Sequence, residues 1–172
     1  MNTGIRFLLF CIFVSVSPFT FAASVTVFMC QEDSAANTVR ASTAMIESGV
    51  MGALFDCGHI VSSELTAQKT AGSDIGALMN QALQNSAETF FDFVVQITVH
   101  YAEAVIEDTE KIVFADIRSV DWCVVHTQNK NCIGERYSVI PKKNKGETDM
   151  EALERFAREI GSAIEKTIRE RR

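Results

Sequence analysis

The chain has 172 residues, with 16 basic and 22 acidic side chains and a formal net charge of −6. That balance offers no electrostatic case for binding nucleic acid. The length remaining after the first 22 residues, about 150, suits one domain with a full core.

Met1 to Ala22 reads as a secretory signal peptide: one cation (Arg6), an apolar run from Phe7 to Val16, Pro18, and small residues at Thr20 and Ala22. Cleavage is expected before Ala23, leaving residues 23–172 as a single exported domain, periplasmic or secreted. Arg6 is the only charge of the leader, so the mature part keeps 15 basic side chains against 22 acidic ones. The rival reading is an uncleaved anchor, but the segment is short of the roughly 20 apolar residues a span needs, and Pro18 interrupts it. Cys11 follows bulky Phe10, which does not suit lipid attachment, so it is read as one more apolar residue of the leader. No other apolar run is long enough to cross a membrane, and no repeat is present.

Ser24 to Cys30 is rich in β-branched residues and predicts a first strand. The turn Gln31-Glu32-Asp33-Ser34 ends it and supplies cap residues for a helix from about Ala36 to Asp56, with Val39, Thr43, Ile46, Val50 and Leu54 on one face. Gly58 suits a left-handed helix end, and His59 to Ser63 follows as a second, parallel strand, completing a βαβ unit. Leu65 to Asp74 is a polar connection, and Ser73 or Asp74 caps a helix over Ile75 to Glu88. Phe90 to Tyr101 alternates, with Phe91, Phe93, Val95, Ile97, Val99 and Tyr101 on one face and Asp92, Gln96, Thr98 and His100 on the other. Lys111 to His126 and Cys132 to Ile140 form a hairpin, followed by Pro141 and the basic loop Lys142 to Lys145. Thr148-Asp149-Met150-Glu151 is a capping box opening a last helix, whose stripe runs through Met150, Leu153, Phe156, Ala157, Ile160, Ala163, Ile164 and Ile168. The order β-α-β-α-β-β-β-α predicts an α/β (α+β) fold, a mixed sheet with helices over one face.

Four cysteines follow the leader. Cys123 and Cys132 flank the hairpin tip and face each other if the turn is centred on Thr127-Gln128, but fall out of register if it is centred on Asn129-Lys130; Cys30 and Cys57 form the second candidate pair. Cys57, His59, Cys123, His126 and Cys132 also offer zinc-type ligands, but at no known finger or ribbon spacing, so the disulfide reading leads and no metal or other cofactor is expected. Asp92, Asp116 and Asp121 are candidate acid–base groups on strand positions, with no nucleophile motif beside them, so no catalytic residue is assigned. Trp122 and Tyr137 lie on facing arms of the hairpin and are candidate interface anchors, with His126 near the tip; the same rings also suit a core. The loop Lys142 to Lys145 could meet an acidic partner or an anionic lipid surface.

The strand Val25-Thr26-Val27-Phe28, the helix ending at Cys57-Gly58 before His59-Ile60-Val61, the helix running into Phe91-Asp92-Phe93-Val94-Val95, the long hairpin and the closing helix resemble a group of envelope domains. These are the N-terminal domain of TolB, the periplasmic part of CsgG and the outer-membrane activators of penicillin-binding proteins. The resemblance implies a non-catalytic, exported accessory or assembly protein that binds another envelope protein through its sheet edge or hairpin, with peripheral membrane association and oligomerisation both open. The alternative from a different class is a small exported hydrolase or metal-binding enzyme.

Overall fold

A computed structural model describes residues 22–69, 73–102 and 108–170. In chain order it contains β1 (Ser24–Glu32), α1 (Ala41–Asp56), β2 (Ile60–Ser63), β3 (Ala67–Gln68), α2 (Ile75–Glu88), β4 (Phe93–Tyr101), a 3₁₀ turn (Phe114–Asp116), β5 (Ile117–His126), β6 (Cys132–Val139) and α3 (Asp149–Glu170). The expected signal peptide falls on residues 1–21, outside the described residues, with Ala22 at their edge.

The fold is α+β, built on a mixed six-stranded sheet of order β2-β1-β4-β5-β6, with β3 beside β1. β1 runs parallel to β2, β3 and β4, while β5 and β6 are antiparallel additions. Because side chains alternate along a strand, the register Val25↔Phe93, Val27↔Val95 and Met29↔Ile97 lines one face with apolar groups. α1 and α3 cover that face and close the main core, which includes Ile46, Leu54, Phe156 and Ile160. The two helices run in the same direction, with Gly49 against Ala157 and Gly161 against Ala53. A Cβ at Gly161 would lie 2.6 Å from Ala53 Cβ and 3.1 Å from the Val50 carbonyl oxygen, so glycine sets how closely the helices approach.

Four expectations need correction. The helices do not all share one face: α2 packs on the opposite side, where Met79, Ala82 and Leu83 meet Phe28, Val94 and Cys123. The first helix starts at Ala41 rather than Ala36, with no side-chain cap. The intervening segment is held by tertiary bonds instead: Asp33 accepts from Ala35 N–H and pairs with Arg40, and the Gln31 side-chain carbonyl accepts from Arg40 N–H. These satisfied buried polar groups outweigh the helical spacing of Val39. The connection after β2 contains the short β3, and the fifth strand begins at Ile117, after the 3₁₀ turn.

Several local signals are met. Gly58 has φ 86°, and the Asp74 carboxylate accepts from Ala77 N–H at 2.9 Å. At the start of α3, Glu151 accepts from Thr148 N–H at 2.8 Å while Thr148 Oγ1 accepts from Glu151 N–H at 3.2 Å, a reciprocal capping box. Beside it, the Arg155 guanidinium and then the Asn144 backbone N–H draw the Glu147 carboxyl down to about 2.

Candidate functional site: a groove between the last hairpin and the last helix

β5 and β6 place Trp122 directly across from Tyr137. The rings stack with centroids 4.2 Å apart and an interplanar angle of 18°. Their exposures separate them: Trp122 is 3% exposed and belongs to the core, whereas Tyr137 is 39% exposed. Trp122 is therefore not a free-standing anchor but the floor of a groove, with Tyr137 as its outer wall.

The groove, about 420 Å³, runs between the β5–β6 hairpin and α3, with Val139, Phe156, Ile160 and Ala163 completing an apolar lining. At its rim Lys166 reaches Glu170 at 3.8 Å and Glu159 takes a 2.8 Å hydrogen bond from Arg155, so its charges are matched. The Trp122 indole N–H is buried and has no acceptor among the described residues. A buried donor without a partner is costly, and pockets commonly use one such group to orient a ligand. Among the described residues β6 is the last strand of the sheet, and no other described strand lies beside its outer edge.

His126 is not part of the groove. It sits at the end of β5, edge-on to Phe93 with centroids 5.3 Å apart, and its Nδ1 accepts from Gln128 N–H at 3.2 Å. It braces the turn.

Among the described residues the four cysteines, Cys30, Cys57, Cys123 and Cys132, are free thiols. Cys30 and Cys57 lie toward opposite ends of β1: Ser24 pairs with Ile60, three residues after Cys57, and Cys30 is six residues further along the strand. At about 3.3 Å per residue that separation is far beyond disulfide range, which rules out the second candidate pair. Cys132 faces Val125, because the loop is centred one residue beyond Thr127-Gln128 and Lys130 takes a left-handed φ of 55°. Cys123 and Cys132 are thus diagonal neighbours rather than directly opposite. Burial, and then the adjacent Cys132, push the Cys123 thiol up.

Among the described residues no three His, Cys, Asp or Glu side chains are arranged to hold a metal ion. Asp92 accepts from Ser24 N–H at 2.9 Å and fixes the strand ends. Asp121 meets His100 Nε2 at 3.0 Å, while His100 Nδ1 meets Glu32 at 2.8 Å and Glu32 meets Lys69 at 3.0 Å. This polar string across three strands to Lys69, just after β3, was not anticipated, although the polar face of Gln96, Thr98 and His100 marked where it lies. Both ring nitrogens of His100 are occupied by carboxylates, leaving no nitrogen to activate a nucleophile.

The model of a family described as "Uncharacterised protein" matches residues 24–169, and the chain belongs to that family. No curated protein matches it. Solved structures similar to the chain include the lipoprotein GNA1162 from Neisseria meningitidis, at 16% identity over 84% of this chain and 99% of that one, TM-score 0.49. They also include XCC0632 from Xanthomonas campestris, a DUF330 protein, at 14% identity over 88% of each chain, TM-score 0.45. A third is a PelC dodecamer from Paraburkholderia phytofirmans, at 12% identity over 85% of this chain and 86% of that one, TM-score 0.42. These similarities stand in place of TolB, CsgG and the penicillin-binding-protein activators, and the earlier resemblance is corrected accordingly. Element order alone carried it, and order does not fix which strands pair or which face each helix covers.

Proposed function

We propose that the protein is an exported, non-catalytic envelope protein that binds an extended segment of another envelope protein along β6 and in the adjoining groove. The observation that carries this reading is the coincidence of an open sheet edge, an apolar groove and a buried Trp122 N–H lacking an acceptor. An extended peptide adds backbone hydrogen bonds to an edge strand and sends alternate side chains into a neighbouring pocket. A carbonyl of that peptide would accept the Trp122 N–H once the Tyr137 ring shifts. The leader sequence supports export.

Photo-cross-linking in intact cells tests the site. Benzoylphenylalanine in place of Tyr137 should give a discrete adduct with one envelope protein, and the same group at exposed Gln84 on α2 should not. Equal adducts from both positions, or none from Tyr137, would remove the groove from consideration.

The same export reading makes Cys123 and Cys132 a candidate bridge. Each thiol would lose its proton, and the two electrons would pass to the disulfide of an oxidoreductase by exchange. Peptide mapping without reductant is expected to recover the two joined; free thiols at both positions would show that the diagonal offset prevents closure.

A further inference from the structure

Around Ala23 the structure gathers exposed apolar side chains from three separate segments. Ile60 N–H donates to the Ala23 carbonyl at 2.9 Å, and the Ser24 hydroxyl donates to the Phe90 carbonyl at 3.4 Å. Phe55 lies in the last turn of α1, just before His59, whose Nδ1 accepts from Ala23 N–H at 3.1 Å. Phe55, Ile60 and Phe90 are 71%, 64% and 90% exposed. Phe90 also holds a left-handed φ of 62°. A glycine would occupy that conformation without strain, and an exposed ring contributes nothing to the core, so neither backbone nor packing accounts for phenylalanine there.

We propose that this end of the molecule is a membrane-contacting face, with Phe55, Ile60 and Phe90 inserting at the headgroup level of a lipid bilayer. The chain's own sequence identifies the occupant. In the precursor, before cleavage, only five residues lie between the apolar run Phe7 to Val16 and Ala22, about 20 Å of extended chain, so the bilayer that takes up this run during export lies against the same end. Two acids there are matched, Asp56 by Arg158 at 3.4 Å and Glu165 by Arg169 at 3.8 Å, which lowers repulsion from anionic headgroups. The basic loop expected to meet lipid is not at this end: Lys143 pairs with Asp149 at the start of α3, whereas Arg169, in the last turn of α3, is near Cys57.

Flotation with vesicles of phosphatidylethanolamine and phosphatidylglycerol tests the proposal on the processed protein beginning at Ala23; all described core residues lie from Ala23 onward. The wild-type protein should float. Phe90→Gly should raise the melting temperature, by relieving the left-handed backbone, yet weaken vesicle binding about tenfold through loss of one inserted ring. Leu65→Ser, which removes an even more exposed side chain (93%) beyond the far end of β2, should leave binding unchanged. Phe90→Trp should shift its emission to the blue on vesicles, above the steady signal of the single native tryptophan, Trp122. Absence of wild-type flotation, unchanged binding by Phe90→Gly, or equal loss in Leu65→Ser would overturn the proposal. So would a Phe90→Gly protein that keeps vesicle binding but loses self-association, which would make the face a protein contact.

Discussion

Trp122→Ala is expected to destabilise the protein by about 3–5 kcal/mol, because the indole is buried between the sheet and α3 and its loss leaves a large void. Tyr137→Ala, removing a half-exposed ring from the same stacked pair, should cost only about 0.5–1.5 kcal/mol. Partner capture should follow the opposite order once each variant is compared at a temperature where it is folded, with Tyr137→Ala the more damaging. Trp122→Phe separates the indole N–H from ring packing. It removes a buried donor that has no acceptor, so the gain of about 1–3 kcal/mol offsets much of the lost volume and stability should change little. If the N–H orients the bound segment, capture nevertheless falls about tenfold. Urea unfolding and quantitative capture measure the two quantities. Unchanged capture by Trp122→Phe would mean that the N–H plays no part, and a stable Trp122→Ala would contradict its place in the core.

The second large effect concerns two glycines. In an exposed helix interior, replacing Gly by Ala gains about 1 kcal/mol of helix propensity. Gly52→Ala on α1, with no atom within 4 Å of the new methyl, should show that gain. Gly161→Ala on α3 should reverse the sign. Its methyl meets Ala53 Cβ at 2.6 Å and the α1 backbone at Val50, which cannot yield as a flexible side chain can. Overpacking of this kind costs about 1–3 kcal/mol, outweighing the propensity term. Gly161→Leu should cost more. Thermal and urea melts on the pair decide it: a stabilised Gly161→Ala protein would show that the helices separate without penalty.

Local chemistry made parts of this fold legible and left others hidden. The α3 start was readable because a capping box closes within four residues, and β4 because its alternation is unbroken from Val95 to Tyr101. The segment before α1 was misread because its deciding bonds run from Gln31 and Asp33 to Arg40, and helical spacing says nothing about them. β3 is two residues long, too short for any pattern to show. The side taken by α2 was hidden as well: its buried stripe of Met79, Ala82, Leu83 and Ser86 would fit either face. For the candidate site, the partnership of Trp122 with Tyr137 followed from the hairpin, but their unequal burial did not. That difference is made by Phe156 and Ile160, more than thirty residues downstream of Trp122 on another element. The hairpin register turned on one left-handed residue, Lys130, a conformation that lysine does not advertise.

The place of β1 in the sheet bears on how the chain must assemble. Synthesised first of the strands, β1 finds its first strand partner at Ile60, opposite Ser24, and reaches Asp92 only 68 residues on. Until then Val25-Thr26-Val27-Phe28-Met29-Cys30, almost wholly buried in the finished molecule, has strands on one side only, β2 and the short β3. Such pairings are slow to close and leave apolar edges open to other chains. The other side of β1 is covered only once β4 emerges, and until that point the chain carries an apolar strand edge open to other chains.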